Sequence, residues 1–107
     1  MTADAFRKLA LALPETEERA HMSHPDFRVA QKIFATLGYP KGGFAMVKLS
    51  LEDQHNFVQT YPTMFQPISG AWGRKGCTQV ILSKASAAPV GLALGAAWRH
   101  HAPKSLL

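Results

Sequence analysis

Between Pro14 and Ser50 the apolar residues abandon helical spacing and fall into short extended runs punctuated by proline and glycine, with helix-like stretches on either side. That switch of period constrains the fold more than any other feature. Thr2 is placed to cap a first helix with Phe6, Leu9, Ala10 and Leu13 on one face, and Pro14 stops it. The extended runs are Glu17 to Met22, then Phe27 to Val29 continuing or bulging into Lys32 to Leu37, then Phe44 to Leu49. Ser23-His24-Pro25 makes the first connection, since Pro25 keeps His24 out of the helical region. Gly38-Tyr39-Pro40-Lys41-Gly42-Gly43 reads as a plain hairpin turn. A second helix opens at Ser50, with Glu52 and Asp53 in its first turn, and closes at Pro62. Ala71 to Arg74 and Thr78 to Leu82 read as two further strands around Lys75-Gly76-Cys77. Ser86 then caps a last helix with an apolar stripe of Val90, Ala93, Leu94, Ala97 and Trp98.

This order predicts a single two-layer α+β domain over residues 1–107, arranged α-β3-α-β2-α, with a five-stranded antiparallel sheet and its helices on one side. The one cysteine, Cys77, excludes an intramolecular disulfide and fits a reducing cytoplasm. No apolar run approaches the roughly 20 residues of a membrane span, and Met1 to Lys8 reads as the start of an amphipathic helix rather than a signal peptide. The expectation is a cytoplasmic protein with no membrane partner.

Twelve Lys and Arg against seven Asp and Glu leave a net charge of +5, a balance that favours a polyanionic partner if the cations converge. Strict alternation assigns Ile33, Ala35 and Leu37 to the core and Lys32, Phe34 and Thr36 to the uncovered face. In the next strand it leaves Phe44, Met46 and Lys48 on that face, joined by Arg19 and Arg28 from neighbouring strands. The result would be a basic surface interleaved with aromatic rings.

Six segments, taken in order, resemble the MmcQ/YjbR family of small bacterial proteins: Leu13-Pro14-Glu15-Thr16-Glu17-Glu18, His24-Pro25-Asp26-Phe27-Arg28-Val29, Lys32-Ile33-Phe34-Ala35-Thr36-Leu37, Val47-Lys48-Leu49, Gly70-Ala71-Trp72-Gly73-Arg74 and Ala97-Trp98-Arg99. The resemblance implies the same α-β3-α-β2-α fold, related in shape to type III secretion chaperones and likened to frataxin-like sheets. It also implies the family's usual description as DNA-binding proteins with a double-wing arrangement, a label that rests on fold analogy. No catalytic residues come with it.

Two functions compete. In the first, a non-enzymatic DNA-binding protein contacts phosphates through Arg28, Lys32, Lys48, Arg74 and Lys75, while Phe34 and Trp72 stack on bases or pack against sugar. In the second, a protein-interaction or small-anion-binding module uses exposed Phe34, Phe44 and Met46 for a partner or a homodimer, or uses His24, Trp72 and Arg74 as an anion pocket. The bland alternative makes Lys32 and Lys48 ordinary solvated strand residues. No metal or cofactor is expected: His21, His24, His100, His101 and Cys77 lack ligand spacing, and the first helix lacks the row of carboxylates that iron handling would need. No acid, base and nucleophile set announces an enzyme, and Cys77 reads as a packing residue.

Overall fold

Thr2 Oγ1 accepts the Ala5 amide at 3.0 Å and starts helix α1 (Ala3–Leu11) in the computed structural model, which describes residues 1–107. Strands β1 (Thr16–His21), β2 (His24–Val29), β3 (Lys32–Leu37) and β4 (Phe44–Lys48) follow, then helix α2 (Leu51–Thr60), whose N-cap Ser50 Oγ accepts the Asp53 amide at 3.1 Å. Strand β5 (Phe65–Pro67), the one-turn helix α3 (Ala71–Arg74), strand β6 (Cys77–Ile81) and helix α4 (Ala87–His101) complete the fold. All strand pairs are antiparallel, in the order β1-β2-β3-β4-β6-β5.

The α+β class holds, but the sheet has six strands rather than five. Three local differences from the sequence reading shape the sheet, and the second of them adds the strand. The first turn is Met22-Ser23, not Ser23-His24-Pro25: His21 pairs with His24 and Ala20 with Pro25. Residues that flank a two-residue turn exchange ladder bonds, so the next pair needs none and the proline's missing N–H costs β1 nothing. A second such turn at Ala30-Gln31 divides what reads as one continuing run into β2 and β3. Finally, Ala71 to Arg74 is helical rather than extended, and Phe65 to Pro67 supplies the strand beside β6.

A single apolar cluster holds the layers together, formed by Phe6 and Ala10 of α1, Val90, Leu94 and Trp98 of α4, and Phe27, Val29, Ala35, Val47 and Val80 of the sheet. Phe6 and Phe27 lie 6.1 Å apart between ring centroids. Helix α2 joins the same side through Phe57 and Tyr61, whose rings meet Phe65 at 5.4 and 6.1 Å. The three longer helices therefore cover one face and leave the other free of them. No helix is long and apolar enough to cross a membrane.

One irregularity rearranges the faces. Phe27 pairs with Ala35 but Arg28 pairs with Ile33, so β3 carries an extra residue, Phe34, opposite no partner. Such a bulge breaks the two-residue period locally. Phe34 turns into the core beside Ala35 and is fully buried, while Ile33 comes out on the uncovered face together with Thr36. This corrects the placement of Phe34 by strict alternation: a ring with no exposed surface cannot stack on a base or meet a partner.

Candidate functional site

The uncovered face is built by register. Thr36 stands opposite Asp26 on one side and Met46 on the other, and Lys48 stands opposite Cys77. Ile33, Thr36, Met46 and Cys77 form the floor of a groove of about 410 Å³ walled by His21, Met22, Tyr39 and Trp72, with Lys48 beside the floor. Met46 and Cys77 pack with Ile68 and Tyr39 into a small second apolar cluster beneath it. Trp72 is 57 % exposed, unusual for so large an apolar ring, and the Lys75 ammonium lies 5.6 Å from its centroid. A larger, shallower hollow of 540 Å³ near Glu15, Glu17, Gln31 and Ser105 offers neither an aromatic ring nor a cation.

Trp72 owes its position to the Gly70-Ala71-Trp72-Gly73-Arg74-Lys75-Gly76 segment. Ile68 N–H donates to Cys77 O at 3.0 Å and Leu49 N–H to Gly76 O at 3.0 Å, so the turn is held between the residues that follow β5 and β4. Gln54 Nε2 of α2, itself buried, reaches Gly73 O at 3.0 Å, Cys77 O at 3.2 Å and Thr78 Oγ1 at 3.2 Å. Trp72 thus stands on a rigid platform, as a binding wall needs to.

Beside the groove, Asp26 is fully buried and accepts from Arg28 Nε at 2.7 Å, Arg28 Nη2 at 3.0 Å and His21 Nδ1 at 2.7 Å. Burial pushes the Asp26 carboxyl up, but the hydrogen bonds from Arg28 and His21 outweigh it and hold the group below the ordinary carboxylate range. Folding therefore favours its ionised form. That contribution is complete above the unfolded pKa near ~3.9 and is lost as pH falls through the lowered native value. Asp26→Asn is expected to cost about 2 kcal/mol at neutral pH and to flatten the acid limb of urea midpoints measured against pH. Unchanged midpoints would mean the network is not structural. Cys77 is pushed the other way: burial raises its thiol, against the pull of Lys48 and Lys75, so it stays protonated at neutral pH and packs rather than reacts.

The residues singled out in the sequence end up in different places. Lys48 and Trp72 meet at the groove, and Arg74 and Lys75 lie exposed on and just after α3. Arg28 is spent on Asp26, and Lys32 stands exposed at the start of β3. His24 packs edge-on against Tyr39 at 5.9 Å and does not line the groove, where His21 stands instead. Phe44 is half-buried with the Lys41 ammonium 5.7 Å from its ring. His21, Met22, Ile33, Thr36, Tyr39 and Cys77 line the groove although sequence reasoning did not assign them to a site. The turn position reveals His21 and the bulge reveals Ile33, while alternation already sets Thr36 on the open face.

An antiparallel sheet with three helices on one face and a tryptophan-walled groove on the other defines a two-layer α+β domain with one open side. The YjbR family profile matches residues 11–100, and the chain belongs to that family. A crystal structure of a Deinococcus radiodurans protein with the DUF419 domain superimposes with a TM-score of 0.76 at 18% identity, over 99% of this chain and 82% of that one. At that identity the likeness establishes the fold. Among curated proteins none matches the chain significantly.

Proposed function

We propose that this protein is a binding module whose open-face groove takes a small, planar, anionic ligand. The observation that carries this reading is the pairing of an exposed, rigidly mounted Trp72 with Lys48, which forms no ion pair, across an apolar floor. A groove of this volume lies in the range of small-molecule sites, which join apolar walls to a few placed polar groups. 4-Methylbenzoate and its neutral counterpart 4-methylbenzamide test it. The carboxylate should shift the Trp72 indole and Met46 methyl resonances and bind about fivefold more tightly than the amide, a preference that Lys48→Gln removes. Shifts scattered away from the groove, or no shifts at millimolar probe, would refute the reading.

A second reading, DNA binding, is favoured by Lys32, Lys48, Arg74 and Lys75, none of which is paired with an acid. It is weakened by the loss of Phe34 to the core and of Arg28 to Asp26. Four phosphate contacts on oligo(dT) would give a log–log salt slope of about −3. Absence of binding at low salt would eliminate it.

A further inference from the structure

Resting on the small-ligand reading of the groove, we infer that the ligand carries, besides its anion, a ring hydroxyl or equivalent N–H, recognised at the far end of the floor by His21 and Thr36. Two observations independent of Trp72 and Lys48 lead there. The first is Thr36 Oγ1: it belongs to a residue that lines the groove and is 1% exposed, and it is the one buried side-chain polar atom with no hydrogen-bond partner. An orphaned hydroxyl is costly in a free protein, and a bound group that satisfies it recovers that cost. The second is His21. Its Nδ1 lies 2.7 Å from the Asp26 carboxylate, which can only accept, so Nδ1 carries the proton. Asp26 is fixed in turn by the Arg28 fork. The ring is therefore held in one orientation, and Nε2, the nitrogen without a protein partner, is an acceptor in the neutral ring.

The two groups belong together, because both adjoin Asp26: Thr36 stands directly opposite it in the sheet and His21 is bonded to it. A ligand hydroxyl placed there donates to His21 Nε2 and accepts from Thr36 Oγ1, using both. The anion end follows from register. Thr36 faces Met46, and Lys48, two residues further along β4, is the diagonal neighbour of Thr36, about 7–8 Å away. A six-membered ring bearing its hydroxyl and its carboxylate in para positions has that reach, with Trp72 and Tyr39 as apolar walls. The ligand class is thus a phenolic or hydroxylated heteroaromatic acid.

The experiment compares 4-hydroxybenzoate with 4-methylbenzoate, nearly equal in shape and charge, by titration of ¹⁵N- and methyl-labelled protein. The expected result is a preference of about fivefold or more for the hydroxyl compound, with a shift of the His21 Nε2 resonance seen for that compound alone. In His21→Phe the ratio of the two affinities should fall to about one. Thr36→Val gives a second reading that does not depend on His21: it should leave the free protein as stable or more so, because it deletes an unsatisfied hydroxyl, and should weaken 4-hydroxybenzoate more than 4-methylbenzoate. If both compounds bind in the groove without preference, or the preference survives in His21→Phe, this inference falls and the small-ligand reading stands. If neither compound reaches the groove, both fall.

Discussion

Gly73→Ala is expected to destabilise the protein by about 3–5 kcal/mol, the upper end of single-substitution effects. Gly73 is buried at the centre of the α3 turn, and a β-carbon built on it would overlap the Ile68 carbonyl oxygen and crowd the Ile68 backbone. Backbone cannot give way as a flexible side chain does. Ile68 N–H is bonded to Cys77 O, and Gly73 O receives the Gln54 amide, so displacing the turn breaks both anchors. Three residues on, Gly76 has φ +103° and the same conflict with the Leu49 carbonyl, so its alanine variant should behave alike. Gly91→Ala in α4 is the control: nothing lies within 4 Å of its added carbon, and a gain of about 0.5–1 kcal/mol is expected there. Urea midpoints of the three variants check this. A midpoint for Gly73→Ala close to that of the parent would show that the turn is not wedged against the Ile68 backbone, and Trp72 would lose its rigid mounting.

The spacing of Gly70, Gly73 and Gly76 is plain in the sequence, yet reading Ala71 to Arg74 as a strand hides what the glycines do. The longer helices are more legible, because Thr2 and Ser50 cap where such residues usually cap and the apolar stripes are regular. The hairpins are not. Met22-Ser23 and Ala30-Gln31 both take positive φ without a glycine or asparagine at either position, so the strongest sequence sign of a two-residue turn is missing. His24-Pro25 offers a more conventional turn one step later, and accepting it removes His21 from consideration. The bulge at Phe34 is equally silent, since a run of alternating residues does not announce where one of them is surplus. Half of the groove could therefore be found from residue type, namely Trp72 and Lys48. Alternation also sets Thr36 on the open face, whereas His21 and Ile33 depend on register that only the assembled sheet supplies.

Phe34→Ala separates these two descriptions of the sheet most sharply. On a strictly alternating strand Phe34 would face solvent, and its truncation would alter stability by no more than about 0.5 kcal/mol while weakening any stacked partner. In the bulged strand it is fully buried in the main apolar cluster with Phe6, Phe27 and Leu94. Truncating a buried phenylalanine loses its transfer energy and leaves a cavity that a close-packed interior refills only in part, so a loss of about 3–5 kcal/mol is expected. The loss should be seen in urea unfolding. Among variants that remain folded, Phe34→Leu should leave oligo(dT) binding and its salt slope unchanged, because the side chain never reaches the surface. A small stability change coupled to weakened DNA binding would place the ring outside and remove the bulge. Ile33 would then turn into the core and leave the groove floor, because the shift that buries Phe34 is the same one that brings Ile33 out beside Thr36, which faces the open side on either description.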